Sequence, residues 1–139
     1  MAIGRLPSTN GPLERASLVV DGNLLDVAVE VASDRGSQRR GLLGRDQVVG
    51  AMWFPGVRSV HTVKMRCAID VAHVDLAGRV ASVSTMQPNR VGAWRRSCAG
   101  VLEAAAGALA EWGITPGTTL SITIHPPSPA SGGLGWQVS

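Results

Sequence analysis

The stretch ASLVVDGNLLDVAVEVAS, residues 16–33, restricts the possible folds more than any other part of this chain. Leu25, Val27, Val29 and Val31 alternate with Asp26, Ala28 and Glu30, the two-residue period of a half-buried strand. Asp21-Gly22-Asn23 breaks the run with residues that accept a tight turn, so the segment reads as a β-hairpin. The pattern recurs along the chain. AMWF (51–54) is a short strand stopped by Pro55-Gly56, and SVHTVKMRCAIDVAHVD (59–75) supplies strands at about 58–64 and 69–75. Ala77-Gly78 then turns into RVASVSTM (79–86), and TTLSITIH (118–125) is the last strand. Connections of hairpin length imply a largely antiparallel sheet, which commonly curls into a barrel-like shape to protect its edges.

Two segments read as helices. Ser33 and Asp34 are capping residues ahead of RGSQRRGLLG, which Gly44 can close in a left-handed conformation. AGVLEAAAGALAEWGITPG (99–117) runs from a short strand into an alanine-rich helix, with Gly113 suited to the position after its last turn and Pro116 preventing continuation. The expected fold is therefore α+β: a single small domain, a curled, mainly antiparallel, barrel-like sheet and two short helices. It occupies residues 13–125, between a flexible lead-in (1–12) and a disordered Pro/Gly/Ser tail (126–139) that carries Trp136.

The chain has 139 residues, enough for one real core. With no tyrosine and one phenylalanine, Phe54, that core must be assembled from Val, Leu, Ile, Ala and Met. The net charge is +3, and Lys64 is the only lysine. Arginine pairs bidentately with carboxylates and phosphates, which favours an anionic ligand over a loose polybasic surface. Nucleic acid is not expected, because the arginines are scattered and the stacking aromatics of single-strand binders are missing. Cys67 and Cys98 have neither zinc-ribbon nor redox spacing, and no phosphate loop, dinucleotide fingerprint or nucleophile elbow occurs, so no metal and no cofactor are expected. No run approaches the ~18 apolar residues of a membrane span. The polar start of the chain suggests a cytoplasmic protein.

Residues 59–75 hold His61, Lys64, Arg66, Asp70 and His73 among strand-forming neighbours. A carboxylate buried at Asp70 needs partners, since leaving it alone would cost several kcal/mol. Alternation puts Asp70 opposite Ile69 and Val71, facing water or a cleft if those two face the core, or capping a turn. His61 can hydrogen-bond or move a proton near neutral pH, or be a satisfied structural group. His73 reads as packing or surface. Arg39, Arg40 and Arg45 flank Leu42 and Leu43, which anchor the first helix to the core. Glu103 opens the alanine-rich helix, where the helix dipole alone favours a carboxylate, or serves as an acid at the sheet rim.

Four blocks in series, RRGLLGR, GAMWFP, VHTVKMRCAIDVAHVDLAGRV and VLEAAAGALAEWGITPG, resemble the bacterial and archaeal domain of unknown function 192 family over about residues 24–122. Arg40, Gly41, Leu42 and Arg45 match its first motif, Arg-Gly-Leu-Met-x-Arg, with Leu43 in place of Met. Val60 and His61 stand where the family's third motif has Phe and Trp, so the chain resembles a His-Thr-containing variant. Leu102, Glu103 and Gly107 match the last block. The resemblance implies a compact α+β domain and no particular reaction. The residues are read as a binding or accessory module whose polar cleft, lined by Arg40, Arg45, His61, Asp70 and Glu103, takes a small anionic or polar ligand or a protein partner. Two alternatives stand beside it, leaving enzymatic activity open: an acid–base enzyme using His61, Asp70 and Glu103, and a structural ion-pair network of Asp70, Arg45 and Glu103 without a ligand.

Overall fold

The computed structural model describes residues 14–32, 49–62, 65–92 and 95–125. Strand β1 (Glu14–Val20) and strand β2 (Asn23–Val31) form the expected hairpin. Its turn has positive φ at both Asp21 (47°) and Gly22 (86°), the conformation whose twist matches flanking strands and which Asp-Gly adopts readily. Strands β3 (Ala51–Pro55), β4 (Ile69–Asp75), β5 (Val80–Met86), β6 (Cys98–Ala105) and β7 (Leu120–His125) follow, with one helix, α1 (Ala108–Glu111), between the last two.

All seven strands join one sheet in the order β5-β4-β6-β3-β2-β1-β7. Every pairing is antiparallel except β2 with β3, which is parallel. The sheet bends, and the starts of its two edge strands meet at one corner. There Leu120 N–H donates to Gly78 O (2.7 Å), Val80 N–H to Thr118 O (2.8 Å) and Gly117 N–H to Val80 O (2.8 Å). Gly78 is required at this corner, because a Cβ would lie 2.7 Å from the Leu120 carbonyl oxygen and φ is +85°. The contact is an isolated bridge between Arg79 and Thr119, and no ladder continues from it, so the sheet is open.

The structure corrects the expected α+β barrel with two helices. Over the described residues the protein is nearly all-β, its sheet is not closed, and the only helix there is the four-residue α1. In the segment expected to run from a short strand into an alanine-rich helix (99–117), the strand β6 extends to Ala105, between β4 and β3, and leaves the helix only four residues. Alanine's helix preference amounts to a few tenths of a kcal/mol per residue, and a strand buried on both faces with two complete ladders overrides it. Gly107, at φ +89°, separates strand from helix, and Gly113, at φ +76°, ends the helix as anticipated. Of the strand expected at 58–64, the described part (58–62) holds an isolated bridge from His61 to Val91, and residues 63 and 64 lie outside the described residues. The helix expected at 34–44, the lead-in, and the tail with Trp136 lie outside the described residues.

Two apolar layers flank the sheet. On one face Leu18, Val29, Val31, Trp53, Ala72, Leu102 and Ala104 pack with Leu109 of α1 and Ile114. On the other, Met52, Phe54, Ile69, Val71 and Val101 lie under Val60 and Met65 from the connection after β3. The central strands are consequently buried on both sides: every residue of β4 before Asp75 is buried, Asp70 and His73 included.

Candidate functional site

Register decides which of the sequence-predicted residues can meet. Asp70 lies directly opposite Thr85 of β5 and Ala104 of β6, whereas Val71 lies opposite Ser84 and Glu103. Paired residues share a face and successive residues alternate, so Asp70 and Glu103 project from opposite faces of the sheet. The structure does not bring these two carboxylates together. Glu103 sits in the middle of β6, opposite Met52 as well as Val71, and not at a helix start.

Asp70 is 3% exposed and its partners are all structural. One oxygen, Oδ1, accepts the Thr85 hydroxyl at 2.6 Å; the other, Oδ2, accepts the N–H groups of Gly107 (2.9 Å) and Leu109 (3.2 Å). These two amides belong to the first turn of α1 and have no acceptor inside so short a helix. Asp70 thus ties α1 to the sheet. Glu103 is buried to a similar degree, but burial alone acts on it, raising its pKa from 4.5 to about 7. His61 is exposed at its bridge to Val91. Arg40 and Arg45 lie outside the described residues.

The concave polar surface that the described residues do form is centred on His73, which the sequence reading placed in packing or at the surface. His73 is 4% exposed, and its Nδ1 lies 3.3 Å from Ser82 Oγ across the β4–β5 hairpin. A cavity of about 450 Å³ opens beside it, lined by His73, Asp75, Arg95, Arg96, Ser97 and Cys98 among others. Asp75 turns Oδ1 into its own turn, where it accepts the N–H groups of Ala77 and Arg79 (both 2.9 Å). A second cavity, about 430 Å³, continues from the first along β5. It shares His73 and Arg95 and adds Ser82, Ser84, Gln87, Arg90 and Val91, with no carboxylate among the described lining residues.

Thr62 holds the far wall of this groove. It is fully buried, and its Oγ1 donates to Gln87 O (2.6 Å) and accepts the Arg90 N–H (2.8 Å). Further backbone bonds run from Thr62 N–H to Arg90 O (2.8 Å) and from Asn89 N–H to Thr62 O (2.7 Å). Arg95 N–H donates to Arg58 O at 3.1 Å, fixing the other end of the same loop. Asp70 contributes from behind, since the Thr85 it holds lines the second cavity. The groove as a whole can present hydrogen-bond donors and positive charge to an anion. Among the described residues no three His, Cys, Asp or Glu side chains cluster as a metal would require.

The family model described as DUF192, "Uncharacterized ACR, COG1430", matches residues 16–122. The chain belongs to the DUF192 family. No curated protein matches it. Two solved structures show that this DUF192 chain shares a known fold. A candidate transcription regulator from Sinorhizobium meliloti 1021 is similar with TM-score 0.68 and 23% identity, over 81% of this chain and 96% of that one. A protein of unknown function from Novosphingobium aromaticivorans DSM 12444 is similar with TM-score 0.64 and 20% identity, over 77% of this chain and 83% of that one. At such identities the likeness concerns the fold alone. Among the described residues of this DUF192 member, no helix is long and apolar enough to cross a membrane.

Proposed function

We propose that this DUF192 domain is a binding or accessory module that takes a small anionic ligand, or an anionic group of a protein partner, in the groove beside His73. One observation carries the reading: Arg95 and Arg96 line a cavity of about 450 Å³ in which Asp75 is the single carboxylate among the described lining residues and directs its Oδ1 to backbone amides. That volume lies within the ~300–1,000 Å³ range of small-molecule sites. Guanidinium groups keep their charge in such a setting and bind carboxylate or phosphate through two parallel hydrogen bonds. His61 belongs to this proposal as a rim residue through its bridge to Val91, and Asp70 as the support of Thr85. Neither Cys67 nor Cys98 is in a disulfide, which suits a reducing compartment such as the cytoplasm.

The acid–base alternative is less favoured, because its two carboxylates occupy opposite faces of the sheet. Melting the protein with citrate or inorganic phosphate at rising concentration tests the binding reading. An anion at a hundred times its Kd should stabilise by about 2.7 kcal/mol, and the Arg95→Ala/Arg96→Ala double variant should lose that gain. Absence of any melting shift with either anion at neutral pH would remove the proposal.

A further inference from the structure

The second cavity has a property that a pocket under one face of a sheet cannot have. Ser82, Val83, Ser84, Thr85 and Met86 are successive residues of β5, so their side chains alternate between faces, yet all of them line it. The space therefore runs along the open side of the strand, where β5, at the end of the strand order, presents its outer backbone groups. Edge strands normally carry a lysine, a proline or an inward charge that discourages pairing. The sequence of β5, VASVSTM, has none of these. Beyond the Val80 contact at the corner, no described strand pairs with its outer side. Arg90 and Arg95 stand along the same groove, both exposed, with no acidic side chain beside them among the described lining residues.

The geometry points to β5 as a docking edge for an extended, acidic segment of a partner protein, which adds as an eighth strand while its carboxylates pair with Arg90 and Arg95. The inference rests on the anion-binding reading of the same groove and names the partner class. Backbone hydrogen bonds to β5 supply affinity that is indifferent to sequence, and the arginines select for acidic side chains. A second copy of this chain is the wrong occupant on charge grounds, because pairing β5 with β5 would bring two sets of Arg90 and Arg95 together without a carboxylate among the described lining residues. The other edge strand, β7, lies at the far end of the strand order and contributes no residue to either cavity.

The full chain is titrated with a fluorescein-labelled, end-blocked decapeptide of alternating valine and glutamate. Three controls accompany it: the valine–lysine counterpart, the valine–glutamate peptide N-methylated at alternate backbone nitrogens, and citrate. The glutamate peptide should bind at least tenfold more tightly than either altered peptide, and Arg90→Glu/Arg95→Glu should weaken it at least tenfold. Both arginines are exposed, so the variant should keep the wild-type melting temperature. Amide exchange within residues 80–86 should slow at least tenfold on binding, with residues 120–125 unchanged. Equal binding of the N-methylated or the lysine peptide overturns the proposal, as does protection at 120–125 or peptide-independent dimerisation through β5. Citrate binding without glutamate-peptide binding sinks the edge-strand inference and leaves the anion site standing. Failure of both ligands ends both.

Discussion

Asp70 and Glu103 lie one residue apart in register on neighbouring strands, are almost equally hidden from water, and live in opposite circumstances. On one face, Asp70 receives three hydrogen bonds, two of them from the amides that begin α1. On the other, Glu103 lies between Val71 and Met52 and is acted on by burial alone, which lifts its pKa to about 7. The comparison teaches that depth does not define a buried carboxylate. The donors aimed at it do: a charge met by several N–H and O–H groups organises structure, whereas one without them becomes a proton-dependent weakness.

The largest effect that would break this comparison is at Asp70. Asp70→Ala leaves two helix amides and a hydroxyl without their acceptor, and should cost about 3–5 kcal/mol in urea unfolding. A loss below ~1 kcal/mol would mean that α1 does not depend on the carboxylate.

Glu103 should reveal itself through pH. Its folded-state pKa of about 7 exceeds the unfolded 4.5, so between these values only the folded protein holds the proton. Stability should accordingly fall as pH rises through this window, by about 3 kcal/mol in all, with the full penalty present above pH ~7. Glu103→Gln should match the wild type near pH 4, flatten the profile and be the more stable protein at pH 8. A wild-type profile that rises across the window would reverse the assignment.

Smaller effects sharpen the contrast. Thr85→Val removes one of the three bonds to Asp70 and should cost about 2 kcal/mol, most of it absent in an Asp70→Ala background, as a double-mutant cycle would show. Thr62→Val should cost about 1–2 kcal/mol and speed amide exchange at Arg90, because it strips two hydrogen bonds from a buried hydroxyl that holds the groove wall. The least change is expected from Arg96→Ala, within about 0.5 kcal/mol by thermal melting, since this side chain is exposed. A larger loss there would assign the arginine to the fold instead of to a ligand.

Much of the hairpin architecture was legible in local sequence. Asp21-Gly22 announced the first turn, and Ala77-Gly78 the second. Pairs symmetric about Ala77-Gly78 include Asp70 with Thr85 and His73 with Ser82, although a register shift after His73 puts Val74 opposite Val80. That symmetry was the signal available for His73, which alternation could not classify in a strand buried on both sides. The groove itself was not legible. Arg90, Arg95 and Arg96 sit in a connection whose shape is set by Thr62, twenty-eight residues before Arg90, and by Arg58. Glu103 was misplaced for a related reason: its alanine-rich surroundings prefer a helix locally, and only the flanking strands β3 and β4 make them a strand.

By itself, then, the sequence determined the two hairpins, their turns and the family, because each depends on side-chain periodicity and on backbone preferences within a few residues. Tertiary structure alone decided strand order, the open edges and the face that each charged residue occupies. Those outcomes depend on pairing between segments far apart in the chain, and a shift of one residue in register would have exchanged the surroundings of Asp70 and Glu103.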